Sequence, residues 1–213
     1  MNPAHRDRLA FIRICSGKFE RGMSVYHHKT DKMIKLAQPQ QFLAHYRQIV
    51  DEAYPGDIIG LFDPGIFGIG DTLCDAGRKF DFADFPVFPP EKFARVQAKD
   101  TMKRKQFVKG ITQLTQEGAV QLFRQAGAGM ESYIVGTVGN LQFEVLEYRL
   151  KNEYGVDIIM QMQPYEVARW LTFNDGTTVT PESLRGADRG MFVYDMKDRP
   201  ALLVNNEWAL GWI

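Results

Sequence analysis

Only two of the 213 residues are cysteine, and no apolar run approaches the roughly 18 residues of a membrane-spanning helix. Cys15 and Cys74 are too few for a disulfide framework, and no histidine stands at ligand spacing to complete a metal site with them. Both fall in apolar strand patterns, so they are expected as small buried hydrophobes, unbridged in a reducing compartment. A basic-then-apolar leader is missing too. Arg6, Asp7, Arg8, Arg13 and Lys18 interrupt the one apolar stretch of residues 1–20, which leads us to expect a cytoplasmic protein with no membrane partner.

Net charge is absent as well: 26 basic residues balance 26 acidic ones. The balance holds locally, with 11 of each sign through residue 90 and 15 of each after it. Neither half therefore carries a field that would steer it to nucleic acid, and any such contact must come from a patch.

The phosphate loop G-x-x-x-x-G-K-[ST] does not occur. Gly65-Ile66-Phe67-Gly68-Ile69-Gly70 has the glycines but no lysine, and reads as a loop between strands. The chain is expected neither to bind nor to hydrolyse GTP, and no catalytic, cofactor or metal residue is assigned. His27-His28 point to opposite faces if on a strand and cannot chelate together, so a solvated pair is expected. Glu144 and Glu147 share a helix face, but nearby Arg149 and Lys151 mark a solvated surface rather than an acid/base pair. No nucleophile elbow is visible.

What is present is short-strand patterning over residues 8–80. Leu9 to Cys15, Gly22 to Tyr26, Met33 to Leu36, Ile58 to Phe62 and Thr72 to Cys74 alternate between glycine-containing turns, which predicts a closed antiparallel barrel over residues 1–80. In residues 40–53, Phe42, Tyr46 and Ile49-Val50 have helical spacing. Residues 81–91 form a linker: Pro86, Pro89 and Pro90 stop regular structure, and Phe82, Phe85 and Phe88 are expected to pack against a domain.

Residues 92–213 change period. A strand from Phe93 to Ala98 leads to a helix capped by Asp100 or Thr101, with Phe107, Val108, Ile111 and Leu114 inward and Gly118 at its end. Strands at Val120–Phe123 and Tyr133–Val138 follow, then a helix from about Leu141 to Glu153 with Val145, Leu146 and Leu150 inward, then a strand at Asp157–Met162. The order β-α-β-β-α-β predicts a ferredoxin-like layer. Residues 165–213 read as a C-terminal extension. It contains strands at 166–173, 191–194 and 201–204, a short helix from Thr180-Pro181, and Trp208 and Trp212 packed down at the end.

One charge cluster has direction. Lys92, Arg95, Lys99, Lys103, Arg104, Lys105 and Lys109 face a single acid, Asp100, over residues 92–109. Bases in the first turn of a helix oppose its dipole, so either an anionic partner such as RNA phosphate retains them or they form an ordinary solvated face. Arg13, Lys18 and Arg21 around Ser16-Gly17 are weaker candidates for the same role.

Several strings carry a resemblance. They are Phe11-Ile12-Arg13-Ile14-Cys15-Ser16-Gly17-Lys18-Phe19-Glu20-Arg21-Gly22, Glu52-Ala53-Tyr54-Pro55-Gly56-Asp57-Ile58, Ile69-Gly70-Asp71-Thr72-Leu73-Cys74, Phe88-Pro89-Pro90-Glu91-Lys92-Phe93, Glu117-Gly118-Ala119-Val120-Gln121 and Gly139-Asn140-Leu141-Gln142-Phe143-Glu144-Val145. The chain resembles the peptide chain release factor 3 family of translational GTPases, less clearly over residues 165–213. The resemblance implies a domain II-type β-barrel and an α/β release-factor domain without the G domain, and favours strands over residues 40–53. It also implies a ribosome-docking and conformational-relay role in translation termination. Its partners would be small-subunit RNA, the decoding-region protein, the codon-reading release factor and the chain's own G domain. GTP or GDP with magnesium would belong to that missing domain. The residues put forward for ribosome or RNA contact are Arg13, Ser16, Lys18, Arg21, Lys99, Lys103, Arg104, Lys105 and Lys109. The same portion of an elongation factor and an independent enzyme on borrowed folds are the alternative readings.

Overall fold

The computed structural model describes residues 8–36, 40–43, 46–63, 65–78, 80–83, 85–125, 127, 133–184 and 189–212. Its contacts divide the chain into residues 1–86 and 87–213.

In the first unit the alternating stretches become β1 (Arg8–Arg13), β2 (Phe19–Glu20), β3 (Ser24–His27), β4 (Lys32–Lys35), β5 (Gln40–Leu43), β6 (Tyr46–Ile49), β7 (Glu52–Ala53), β8 (Ile58–Asp63) and β9 (Leu73–Cys74). The helical spacing of residues 40–53 gives way to β5, β6 and β7. The strands form three hydrogen-bonded sets, β1-β8-β5-β6, β4-β3-β9 and β2-β7, all antiparallel. Strand alternation sends Ile12, Ile59 and Leu61 inward. There they meet Phe19, Val25, Leu36 and Ala53 in one core. The Tyr54-Pro55-Gly56-Asp57 turn is closed by the Asp57 carboxylate, which accepts from the Tyr54 N–H at 2.8 Å, and needs glycine at φ 103°. Cys15 departs from expectation. It lies past the end of β1 and is exposed, because the strand stops at Arg13 before the apolar alternation does. Cys74 is half-buried and unbridged.

The second unit runs β10 (Lys92–Ala98), α1 (Arg104–Gln116), β11 (Gln121–Gln125), β12 (Tyr133–Thr137), α2 (Leu141–Tyr154), β13 (Ile158–Gln163), β14 (Val167–Trp170), β15 (Met191–Asp195) and β16 (Pro200–Val204). Asp100 caps a 3-10 turn, accepting from the Met102 N–H at 2.9 Å, so the α-helix proper starts only at Arg104. One antiparallel sheet orders these strands β13-β10-β12-β11-β15-β16-β14. On one face Ala94, Val96, Leu122 and Val135 meet Phe107, Ile111 and Leu114 of α1 and Phe143, Leu146 and Leu150 of α2. Each large side chain so buried contributes roughly 1.5–3 kcal/mol. The helices can approach closely because residue 110 is glycine: a Cβ there would stand 2.7 Å from Leu150 Cδ2. Gly155, at φ 67°, ends α2 in the left-handed conformation.

Strands of the C-terminal stretch extend this same sheet. β15 pairs with β11 from Phe123↔Asp195 to Gln125↔Val193. The other face then buries Phe93, Phe123 and Ile134 against Ala168, Val193, Ala201 and Leu203. The carboxylate of Asp195 ties the β15–β16 turn. It accepts from the N–H groups of Lys197 and Arg199 at 2.8 and 2.9 Å, the Arg199 guanidinium at 2.8 Å and the Trp170 indole at 2.9 Å. Two aromatic expectations fail. Trp208 is 81% exposed, while the Trp212 side chain lies outside the described residues. Phe82, Phe85 and Phe88 each remain more than half exposed; main-chain contacts hold their segment, with the Phe82 N–H donating to Thr72 Oγ1 and Gln121 Nε2 donating to the Phe88 carbonyl.

Candidate functional site

The groups that looked most like chemistry in the sequence serve structure. His27 is fully buried, contrary to the solvated pair expected, because β3 is covered on that side by the loop before β9. Its Nε2 lies 2.9 Å from Asp71 Oδ2 and must carry the proton, since a carboxylate only accepts; Nδ1 lies 2.8 Å from Thr30 Oγ1. Burial pulls the Asp71 carboxyl up. Lys29, the Gly68 N–H and His27 outweigh that and hold it below its usual value. His28 faces the other way, half-buried, 3.7 Å from Asp81.

The glycine loop does not fit a nucleotide phosphate. The N–H groups of Gly65, Ile66 and Phe67 donate to Asp63 Oδ1, and that of Gly68 to Asp71 Oδ2. Two carboxylates already hold the amides a phosphate would require. Among the described residues no three His, Cys, Asp or Glu side chains are grouped to hold a metal ion.

The base cluster divides. Lys92 pairs with Glu166 at 3.1 Å, and Arg95 donates to Gln125 at 2.8 Å. Lys103, at the start of α1, sends its ammonium to the Gly155 carbonyl at 2.6 Å, onto the last turn of α2. The unfavourable position at one helix dipole is thus offset by a favourable one at the other. Lys99 is exposed in the bend after β10. Arg104, Lys105 and Lys109 are exposed along α1, whose 13 residues include no acid.

In the first unit, Arg13 ends β1 on the exposed side and Ser16 is exposed beside it. Lys18 is engaged by Glu52 at 2.6 Å and Glu20 at 3.1 Å, which raise its pKa, and stands 6.0 Å from the Tyr54 ring. Arg21 faces Asp51 at 3.4 Å.

On α2, Glu144 and Glu147 are exposed as expected, but Arg149 turns to Glu153 and Glu117, at 2.6 and 2.7 Å. Val145 is not inward. With Leu141 and Tyr148 it points to solvent, and Phe143 takes the inward place beside Leu146 and Leu150. The sequence signal for this second stripe was its own helical spacing, 141, 145 and 148, parallel to 143, 146 and 150.

This chain is similar to known proteins over its whole length. Residues 82–213, including the stretch beyond 164, match the family model described as class II release factor RF3, C-terminal domain. Residues 1–76 match elongation factor G domain 2. Peptide chain release factor 3 of Symbiobacterium thermophilum is 54% identical over 213 residues, and that of Listeria monocytogenes serovar 1/2a 50% over 212. The protein of that name from Trichormus variabilis is 46% identical over 208 residues, or 98% of this chain. The chain spans 39% of the length of the first two and 38% of the third. A solved structure from Thermus thermophilus matches 87% of this chain, and 28% of its own length, with a TM-score of 0.60 at 14% identity, a likeness of fold alone. With residues 82–213 matching its family model, the chain belongs to the class II release factor RF3 family.

Proposed function

We propose that this chain is the ribosome-docking and conformational-relay portion of a GTP-dependent release factor that promotes departure of the codon-reading release factor in translation termination. In this reading residues 1–80 are a translation-factor barrel, 81–91 a linker and 92–213 a ferredoxin-like domain with a C-terminal extension. The observation that carries it is the outer face of α1, where Arg104, Lys105 and Lys109 are exposed on a helix without acids. A helix face of one sign suits RNA phosphate, which is bound largely through charge. Arg13, Ser16 and Lys99 are further contacts in this reading; Lys18, Arg21 and Lys103 act first through the partners they already hold. GTP or GDP with magnesium belongs to a G domain outside this sequence, and the protein works in the cytoplasm on the small subunit. The elongation-factor reading has the match of residues 1–76 in its favour, and the match of residues 82–213 against it.

Co-sedimentation of the 213-residue chain with ribosomes at increasing salt tests this. Binding is expected to be weak and salt-sensitive. Lys105→Gln with Lys109→Gln should reduce the slope of log affinity against log salt by roughly 0.7–0.9 for each phosphate no longer neutralised. Lys103→Gln should lower thermal stability without changing that slope. Pelleting that neither salt nor the double variant alters would remove the α1 face from the interface, and GTP turnover by the purified chain would overturn the reading.

A further inference from the structure

α2 carries two apolar seams, and only one of them is used. Phe143, Leu146 and Leu150 are buried against the sheet and α1. On the opposite side Leu141 is 69% exposed, Tyr148 68% and Val145 43%, and Val138, exposed just before the helix, continues the line. Within the helix, positions 141, 145 and 148 are four and three residues apart, the spacing by which one helix packs along another. A helix apolar on both sides is ordinarily covered on both. α1, next to it, shows the contrast, since its outer positions 104, 105, 106, 109 and 116 are all polar or basic.

Charge decides what the second seam can accept. Glu144 and Glu147 are exposed along one flank, and neither has an ion-pair partner among the described residues. Lys151, the base on that flank, lies 3.4 Å from Asp157. Phosphate brought to this face would meet two uncompensated carboxylates, whereas lysine or arginine would be drawn to them. The neighbouring helices thus present opposite surfaces, one cationic and polar, the other apolar with an acidic flank.

We infer that the Leu141-Val145-Tyr148 seam docks an amphipathic helix of a partner protein, its own apolar seam bordered by lysine or arginine. This rests on the ribosome reading above, with a ribosomal protein rather than RNA meeting α2. Three apolar residues make a small contact, which suits a helix held only while α1 is engaged elsewhere. Tyr148, the largest side chain of the seam and 68% exposed, is the anchor, since aromatic residues carry a large share of the energy of such contacts.

The test is photocross-linking of the chain carrying p-benzoylphenylalanine at position 148, incubated with purified 70S ribosomes and mapped by mass spectrometry. The expected product joins position 148 to a helical, lysine- or arginine-bordered segment of a ribosomal protein. With the photoprobe kept at position 148, Leu141→Ser with Val145→Ser should cut the adduct at least about fivefold, the scale on which truncation of contributing interface residues is felt. Glu144→Lys with Glu147→Lys should do likewise, while circular dichroism stays unchanged because all four side chains are exposed. An adduct to ribosomal RNA, to a second copy of this chain or to a segment lacking such a helix overturns the inference, as does no adduct. If ribosomes still pellet the chain in those cases, the inference alone fails; if pelleting is lost, the ribosome reading fails with it.

Discussion

Replacing Asp195 with alanine should destabilise the second unit by about 3–5 kcal/mol. This carboxylate is nearly buried and accepts four hydrogen bonds from the β15–β16 turn and from Trp170. Alanine strands the half-buried indole N–H, which costs roughly 1–3 kcal/mol. It also removes charge-assisted bonds to two main-chain amides, which recover water at the exposed turn and lose about 1 kcal/mol each. Against a domain stability of about 5–15 kcal/mol the loss is large. With a urea m-value of about 1–3 kcal/mol/M, the midpoint should fall by roughly 1–5 M. Asp195→Asn should cost less, about 2 kcal/mol, since one oxygen still serves both amides while the new NH2 faces two donors. All three tryptophans lie beyond residue 87, so tryptophan fluorescence during urea unfolding reports on this unit. Burial raises the Asp195 carboxyl, but its donors win and hold it below the ordinary value. Its contribution is therefore complete above about pH 4 and disappears as pH falls through the native pKa, so mutant and wild type should converge in acid. A cost of less than about 1 kcal/mol for alanine at pH 7, or no convergence, would show that the turn does not depend on this carboxylate.

Gly110→Ala would gain about 1 kcal/mol in an open helix, but here its Cβ meets Leu150 Cδ2 at 2.7 Å and Tyr154 Cγ at 2.9 Å. Overpacking of about 1–3 kcal/mol should outweigh the gain and lower Tm, whereas a raised Tm would mean the α1–α2 crossing is looser than described. In the first unit, Asp71→Asn should destabilise at pH 7 and progressively less below about pH 4, because the native carboxylate titrates below its unfolded value beside Lys29 and His27. Circular dichroism melts at pH 7 and pH 3 check this, and an equal penalty at both would exclude the ionised carboxylate as the cause.

Local periodicity was enough to read β1, β3, β4, β8, α1, α2 and the strands between the helices, since alternation and 3.6-residue spacing are properties of neighbouring residues. The α1 base cluster was legible for the same reason. The partners that divide it were not. Lys103 reaches Gly155, 52 residues away, and Lys92 reaches Glu166, 74 away. Cys15 was misread because the alternation outlasts β1, and His27 because nothing next to it announces Asp71, 44 residues on.

Residue order was enough to establish that the chain would be strand-rich and then mixed, would have no phosphate loop, and would carry a run of exposed cations on α1. Which stripe of α2 faces inward was settled only by packing, because Phe143-Leu146-Leu150 and Leu141-Val145-Tyr148 are equally regular helical rows. Packing also joined residues 165–213 to the sheet through β15, a pairing between segments more than sixty residues apart. Burial and strand order depend on contacts between distant residues, and only the folded chain brings those together.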